Sequence, residues 1–491
     1  MTSRQDTAST EEAEGRARPE PRVAVALLPV LATVAILVGG IGILEFPAEL
    51  MLVCAAIVFT LFAVWQGSSL DEVLADMGEK IKRALPGILI LLSIGILIGT
   101  WMIAGTVPLM VDYGLRLIDP SYLYALAFVV TAIVATFTGT SWGAAGTVGV
   151  ALIGVASTMD VSLAITAGAV VSGAYFGDKL SPLSDTTNIS SLAAGANIYE
   201  HIRHMLYTAV PSSVVALVVF LIAGLSIDAG SVDLGVIDRT VDEVEGLFTL
   251  HPVLLLPPAV VLVGSILRKP PLIVLFVSSM TAVVLAVLVQ GSSVADAFDA
   301  AVSGFTTGML PEDVSDPLTE LLNRGGLHSM YESAFFVFCA FFFAAALENS
   351  GVPRLLLSKL IEKLRSTGSL VTATLLSGFA VINGTSNALV TFFLVNDLYG
   401  EAFRKRKLHP VNLSRSMEDS ITITEVLMPW TVSGAFFAGT LGVANFDFLP
   451  WAVFCWTGIA FSALLAWLSP LTRDFGIRRM APEPDGEPAR N

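Results

Sequence analysis

Charge is scarce in this sequence. Asp, Glu, Lys and Arg make up 14% of its 491 residues, where an ordinary soluble domain carries about 25%, so a water-facing surface over most of the chain is excluded. Basic residues number 27 against 42 acidic ones, a formal net charge of -15, which argues against a nucleic-acid partner. Cysteine occurs three times. Cys54, Cys339 and Cys455 all lie inside apolar runs without metal-like spacing, and read as buried thiols. No glycine-rich loop ends in Lys-Ser or Lys-Thr, and there is no His-Glu-x-x-His, which argues against ATP hydrolysis within the chain. The first 22 residues are polar, with neither an apolar core nor a small-residue cleavage site, so no signal peptide is expected.

What the chain has instead is apolar length. It is 54% hydrophobic with mean hydropathy +0.76, and many runs reach the roughly 20 residues that cross a bilayer. The expected fold is an all-α polytopic membrane protein. Spans are expected near 24–44, 48–66, 86–105, 121–138, 142–157, 161–176 and 206–226, then 251–267, 271–290, 331–348, 368–383, 387–400, 426–443 and 450–469, some of them as re-entrant hairpins. Leu70 to Ile81 has helical apolar spacing with one polar face, fitting a segment in the interface plane or a plain connector.

Internal repetition organises these spans. Gln66-Gly67-Ser68-Ser69 recurs as Gln290-Gly291-Ser292-Ser293, and Pro47 as Pro271, both 224 residues on. Val107-Pro108 recurs as Val352-Pro353 and Gly139-Thr140-Ser141 as Gly384-Thr385-Ser386, both 245 on. The change of offset fits an insertion near 306–326, and Asp178 then pairs approximately with Asp419. Basic residues mark cytoplasmic ends: Arg16 to Arg22, Lys80 to Arg83, Arg268-Lys269, Arg354 to Arg365, Arg404 to Lys407 and Arg473 to Arg479. The acidic stretch 226–250 belongs outside. The two halves then begin on opposite faces, the plan of an inverted-repeat secondary transporter with broken helices. The expected division is a polar N-terminal tail 1–22, a first repeat 23–228, an acidic external linker 229–249, a second repeat 250–470 and a polar C-terminal tail 471–491. Both termini are expected on the cytoplasmic side of the cell membrane.

One polar stretch interrupts the apolar sequence more abruptly than any other: Gly173-Ala-Tyr-Phe-Gly177-Asp178-Lys-Leu-Ser181-Pro182-Leu-Ser184-Asp185-Thr186-Thr187-Asn188. Gly173 and Gly177 are small-residue packing positions on the preceding helix. Pro182 breaks any helix passing through, and a broken helix at membrane depth frees carbonyls and helix ends that can hold an ion. Ionisable residues there are functional candidates. Arg415 to Glu425 mirrors it, with Glu418, Asp419, Ser420, Thr422 and Glu425 ahead of Pro429. Some of these acids fit caps of the next helix equally well.

Gly139-Thr-Ser141-Trp-Gly143 matches the G-x-S-x-G pattern of serine hydrolases, but it joins two apolar helices and all five histidines fall near loop positions, so the required strand-to-helix turn and acid–histidine pair are not expected. Phe176-Gly177-Asp178 likewise gives only part of an intramembrane aspartyl protease motif. The better reading of Gly139, Thr140 and Ser141 is a broken hairpin tip presenting hydroxyls and carbonyls, with Thr385, Ser386 and Asn387 as a second tip. Ordinary small-residue packing is the alternative.

At these residues the chain resembles the NhaC family of sodium/proton antiporters. The resemblance is carried by Gly99-Thr-Trp101, Gly139 to Gly149, Ser172 to Asn188, His201-Ile-Arg-His-Met205 and Arg415 to Gly442, and spans nearly all the chain between the tails. It departs at the second tip, where Ser386-Asn387 stands in place of an acidic residue of relatives. The resemblance implies a transporter, not an enzyme, with Na+ and H+ as cargo and no cofactor. It also brings in relatives that exchange malate and lactate, so an ion-coupled organic-acid antiporter is the alternative. Na+ takes oxygen ligands, and the expected ion- and proton-binding set is Asp178, Ser181, Asp185, Thr186, Thr187, Asn188, Gly139, Thr140, Ser141, Thr385, Ser386, Asn387, Asp419, Ser420 and Thr422, with Na+ at Asp178, Asp185 and Asp419. Partners are the lipid bilayer and a second copy of the chain, through a scaffold of spans 24–66 and 250–290.

Overall fold

The computed structural model describes residues 22–44, 46–227, 234–310, 314–315, 318–319, 322–361 and 364–480. The expected polar tails fall outside these up to residue 21 and from 481 on, as do residue 228 of the expected first repeat and 229–233 of the expected linker. The described chain is helical, its single strand-like contact being a bridge between Leu408 and Arg479. Among the described residues nine helices are long and apolar enough to cross a membrane, or eleven if two sharply bent pairs each form one span. Large apolar side chains such as Leu28, Leu61, Phe137, Ile222 and Leu288 point outward, as lipid-facing positions require.

Contacts divide the chain into two compact units. Among the described residues, one holds 22–81 with 339–361, and the other holds 82–338 with 364–480. The expected grouping of 24–66 with 250–290 is therefore not the one found. The expected separate segment 70–81 is also corrected: it forms the first turns of one helix, Leu70–Ile103, with Pro86 inside it. Lys80, Lys82, Arg83 and Pro86 read as a boundary in sequence. Yet a proline costs a helix only one internal N–H donor and some crowding, which neighbouring helices can compensate.

Repetition is visible in local structure. Gly67 and Gly291 both have positive φ, 96° and 71°, and each is followed by a helix, Leu70–Ile103 or Val294–Ser303. Gln66 Nε2 donates to the Ser350 carbonyl at 3.0 Å in the first unit. Gln290 Nε2 donates to the Ala104 carbonyl at 2.9 Å in the second. Ser350 and Ala104 hold corresponding places after their apolar helices, so each half's glutamine caps the other half's chain. Such exchanged contacts are what two-fold-related copies make. The extra residues of the second half fall between Ser303 and Leu327, where Gly304 (φ 95°) ends the helix.

The expected packing role of Gly173 and Gly177 is met. A Cβ at Gly173 would lie 2.2 Å from the Phe128 carbonyl oxygen, and one at Gly177 2.3 Å from that of Ala132. The helices Leu123–Thr138 and Leu163–Leu180 therefore touch backbone to backbone. Gly177→Ala should lower the melting temperature of the detergent-solubilised protein, at a cost of about 1–3 kcal/mol, because a carbonyl cannot rotate away; an unchanged melting curve would show that the helices separate freely. In the expected acidic linker, residues Leu234–Leu247 form a helix. It is tied down by Arg116, which reaches Glu245 at 2.6 Å and Asp112 at 2.8 Å.

Candidate ion-binding site

Both expected helix breaks are present. Leu163–Leu180 stops before Pro182, and Asp185–Ala194 starts after it with Ser184 as its cap. In the second half Pro410–Met417 continues through a π-turn, Glu418–Thr422, to Ile423–Glu425, stops before Pro429, and resumes as Val432–Leu441 with Thr431 as its cap. Both tips are present too. Leu123–Thr138 ends on Gly139 (φ 67°) and the chain restarts with Thr140 accepting from the Gly143 N–H at 3.2 Å. Thr367–Thr385 ends on Ser386 (φ 47°) and restarts with Asn387 accepting from Val390 at 3.0 Å. Each tip rests on the break of its own half. A Cβ at Gly139 would lie 2.7 Å from the Leu183 carbonyl carbon, so this contact, as well as the left-handed φ, requires glycine. Ser386 Oγ donates to the Trp430 carbonyl at 3.4 Å, and Trp430 Nε1 to the Asn383 carbonyl at 3.2 Å.

These landmarks correct the alignment of the halves. The left-handed residue of the first tip is Gly139 and that of the second is Ser386, a separation of 386 − 139 = 247 rather than 245. The caps Thr140 and Asn387, the prolines Pro182 and Pro429, the caps Ser184 and Thr431, and the closing left-handed glycines Gly195 and Gly442 all keep this separation. The short helices between the last two pairs are both 10 residues long. At this offset Asp178 pairs with Glu425, not Asp419.

One cavity of ≈ 260 Å³ gathers both members of four such pairs: Asp178 and Glu425, Ser141 and Ala388, Thr186 and Ser433, Tyr175 and Thr422. This cavity therefore lies where the halves meet. The Ser141 and Ser184 side chains approach the Asp178 carboxyl, the Ser433 side chain approaches Glu425, and the buried Thr422 side chain approaches the Glu418 carboxyl. Helix starts at Ser141, Asp185, Ala388 and Val432 turn their positive ends to this region, which favours carboxylates there. A second cavity, ≈ 530 Å³, shares Asp178, Ser141, Trp142 and Thr186 with the first, and extends past Asp185, Asn188 and Thr140 to Arg268 and Lys269. Asp178 stands on the wall between the two.

The other expected residues sort by geometry. Thr187 Oγ1 donates to the Lys179 carbonyl at 3.1 Å, and Asn188 Nδ2 to the carbonyls of Pro182 and Ser184 at 3.0 and 2.6 Å, so they satisfy backbone freed by the break. Ser181 Oγ accepts from Leu183 N–H at 3.3 Å, and Ser420 Oγ donates to the Ser416 carbonyl at 2.7 Å. Thr385 pairs with Thr391 at 2.8 Å. Asp185 is exposed on the larger cavity.

Asp419 does not line either cavity. It is fully buried, ion-paired to the equally buried Lys179, accepts from Thr208 Oγ1 at 3.1 Å, and lies 3.8 Å from Arg415 Nε. Its partners are thus cationic side chains and a hydroxyl, and the structure sets it apart from the cavity that holds Asp178. The pairing with Lys179 ties the first broken helix to the second. Histidines are corrected as well: His201 and His204 are buried within the helix Ile198–Leu225. The His201 ring joins Ser190 (3.2 Å) to Ser414 (2.7 Å), a second tie between the broken helices.

Two residues of this cavity stand outside the expected set: Glu425, which the sequence showed in the mirrored stretch, and Ser433, which it did not single out. The signal was available: Glu425 precedes Pro429 by the same four residues by which Asp178 precedes Pro182.

A sequence profile of the Na+/H+ antiporter family matches residues 173–469, the part of the chain that holds both breaks and the second tip. The chain belongs to this family. It is 44% identical over 447 residues to an uncharacterised Na+/H+ antiporter of Haemophilus influenzae, covering 90% of this chain and 95% of that one. The Na+/H+ antiporter NhaC of Alkalihalophilus pseudofirmus is 35% identical over 447 residues, 91% and 96% of the two chains. A malate-2H+/Na+-lactate antiporter of Bacillus subtilis is 32% identical over 419 residues, 85% and 89%. The resemblance to the NhaC family thus holds along the whole membrane part, and the family is one of transporters.

Proposed function

We propose that this protein exchanges Na+ for H+ across the cytoplasmic membrane, with Asp178 and Glu425 as the carboxylates at which the two ions compete. The observation that carries this reading is the 247-residue register, which sets one acid from each half on a single cavity with Ser141, Thr186, Ser433 and Thr422. Oxygen atoms of these groups suit a hard monovalent cation. A carboxylate oxygen that binds a proton no longer binds Na+, so competition couples the two movements without a separate proton wire. Pairing of the acids across the two halves, each on a broken helix, supports an inverted-repeat transporter with its site at the repeat interface. Both termini then lie in the cytoplasm.

The test is a proteoliposome with an internal pH dye. Adding Na+ should move protons out of register with any added malate or lactate, and K+ in place of Na+ should give a smaller signal. A second reading follows from the larger cavity, whose Arg268 and Lys269 rim and ≈ 530 Å³ could admit a dicarboxylate. A pH change that requires malate or lactate would replace the first reading by the second.

A further inference from the structure

Three elements run past the ion site and then beyond it: Leu70–Ile103, the π-turn Ala145–Gly149 with the helix Val150–Thr158, and Val432–Leu441. Each contributes to the larger cavity beside Asp178, through Ile94, Gly146 and Phe436. About one turn further along, each contributes to a separate cavity of ≈ 430 Å³, through Ile98, Val150 and Thr440. The two cavities share no lining residue, and the two residues named on each element stand four apart.

The residues between them are tightly packed. A Cβ at Gly146 would meet Ile94 Cδ1 at 2.9 Å. The Phe436 ring stacks on Trp142 with centroids 4.2 Å apart and planes 13° from parallel.

The far cavity has the chemistry of a cation site. It sits at the C-terminal end of Val432–Leu441, where the last carbonyls carry partial negative charge. Thr440 is 4% exposed, lines this cavity, and its Oγ1 has no hydrogen-bond partner. Glu332 adds a carboxylate and Ser333 a hydroxyl. Arg324, also on the wall, is engaged in an interaction of its own. Closing the wall, Gly326 N–H donates to the Gly95 carbonyl at 2.7 Å, with φ 83° at Gly325 and Gly326.

We propose that this cavity is a second site for a monovalent cation, the mouth of the path opposite to Arg268 and Lys269, and that Ile94, Gly146 and Phe436 bar it from Asp178 and Glu425. The proposal rests on the antiport reading for the identity of the cation. The experiment uses the full chain with Cys54, Cys339 and Cys455 replaced and one new cysteine, Thr440→Cys, Ser333→Cys or Ser265→Cys, in membrane vesicles of both orientations with an impermeant maleimide. Ser265 lines the near cavity. Thr440→Cys and Ser333→Cys should react from the outer face, and Ser265→Cys from the inner. Na+ at about ten times its dissociation constant should slow the reaction at position 440 about tenfold, and choline should not. Ser333→Cys keeps the test usable should Thr440→Cys fail to fold. Labelling of both cavities from one face, or a rate indifferent to Na+ at both 440 and 333, overturns the proposal. If the wild type moves no protons on Na+ addition while Na+ still protects position 440, the antiport reading fails and the site stands.

Discussion

Asp178→Asn should abolish Na+-driven proton movement in proteoliposomes while leaving the protein folded, and Glu425→Gln should do the same. The amides keep size and still donate and accept hydrogen bonds, so the serines around each position retain partners. What is lost is the group that binds a proton or Na+ but not both. In the wild type, apparent Na+ affinity should fall as pH falls, by up to about tenfold per pH unit, or about 1.4 kcal/mol, for each proton that competes. Two carboxylates facing one cavity permit a limiting slope of two, and each single variant that still binds Na+ should lose one. The double variant should show no Na+-dependent exchange at any pH. If it exchanges at the wild-type rate with the wild-type pH profile, the carboxylate site is misplaced. If only Asp178→Asn has an effect, the two halves do not share the work, and the pairing at 247 residues is structural alone.

Lys179→Met and Asp419→Asn should be the most destabilising single changes near the site. Both partners are fully buried, and removing one member of such a pair costs about 3–5 kcal/mol, because the other is left charged without compensation. Asp419→Asn should lie at the upper end, since it strands Lys179. Lys179→Met should lie lower, since Asp419 keeps Thr208 and Arg415. Replacing both, Lys179→Met with Asp419→Leu, should recover much of the loss. Thermal unfolding in mild detergent, with Na+ titrated separately, distinguishes a tie between helices from a ligand. A stable Asp419→Asn protein with weakened Na+ affinity would return Asp419 to the ion site.

The sequence by itself determined the class, the breaks and the tips. Fourteen per cent charge and runs of apolar residues leave a helical membrane protein as the only economical solution, since unpaired backbone is not tolerated in lipid. Pro182, Pro429 and the small residues at 139–141 announce where helices stop, because a missing N–H and a left-handed φ are local properties. Gly173 and Gly177 likewise announce a close helix contact. Which side chains meet is not local. The second tip uses Ser386, a non-glycine in the left-handed region, so counting from Gly384 set the register two residues short, and the approximate pairing with Asp419, at 419 − 178 = 241, fell shorter still. Only the packed structure sets Glu425 and Asp178 on one cavity, because that depends on how the two broken helices pack together. Only it gives Asp419 to Lys179, since two fully buried charges are tolerable when each supplies the other's missing solvent, and that pairing joins residues 240 positions apart.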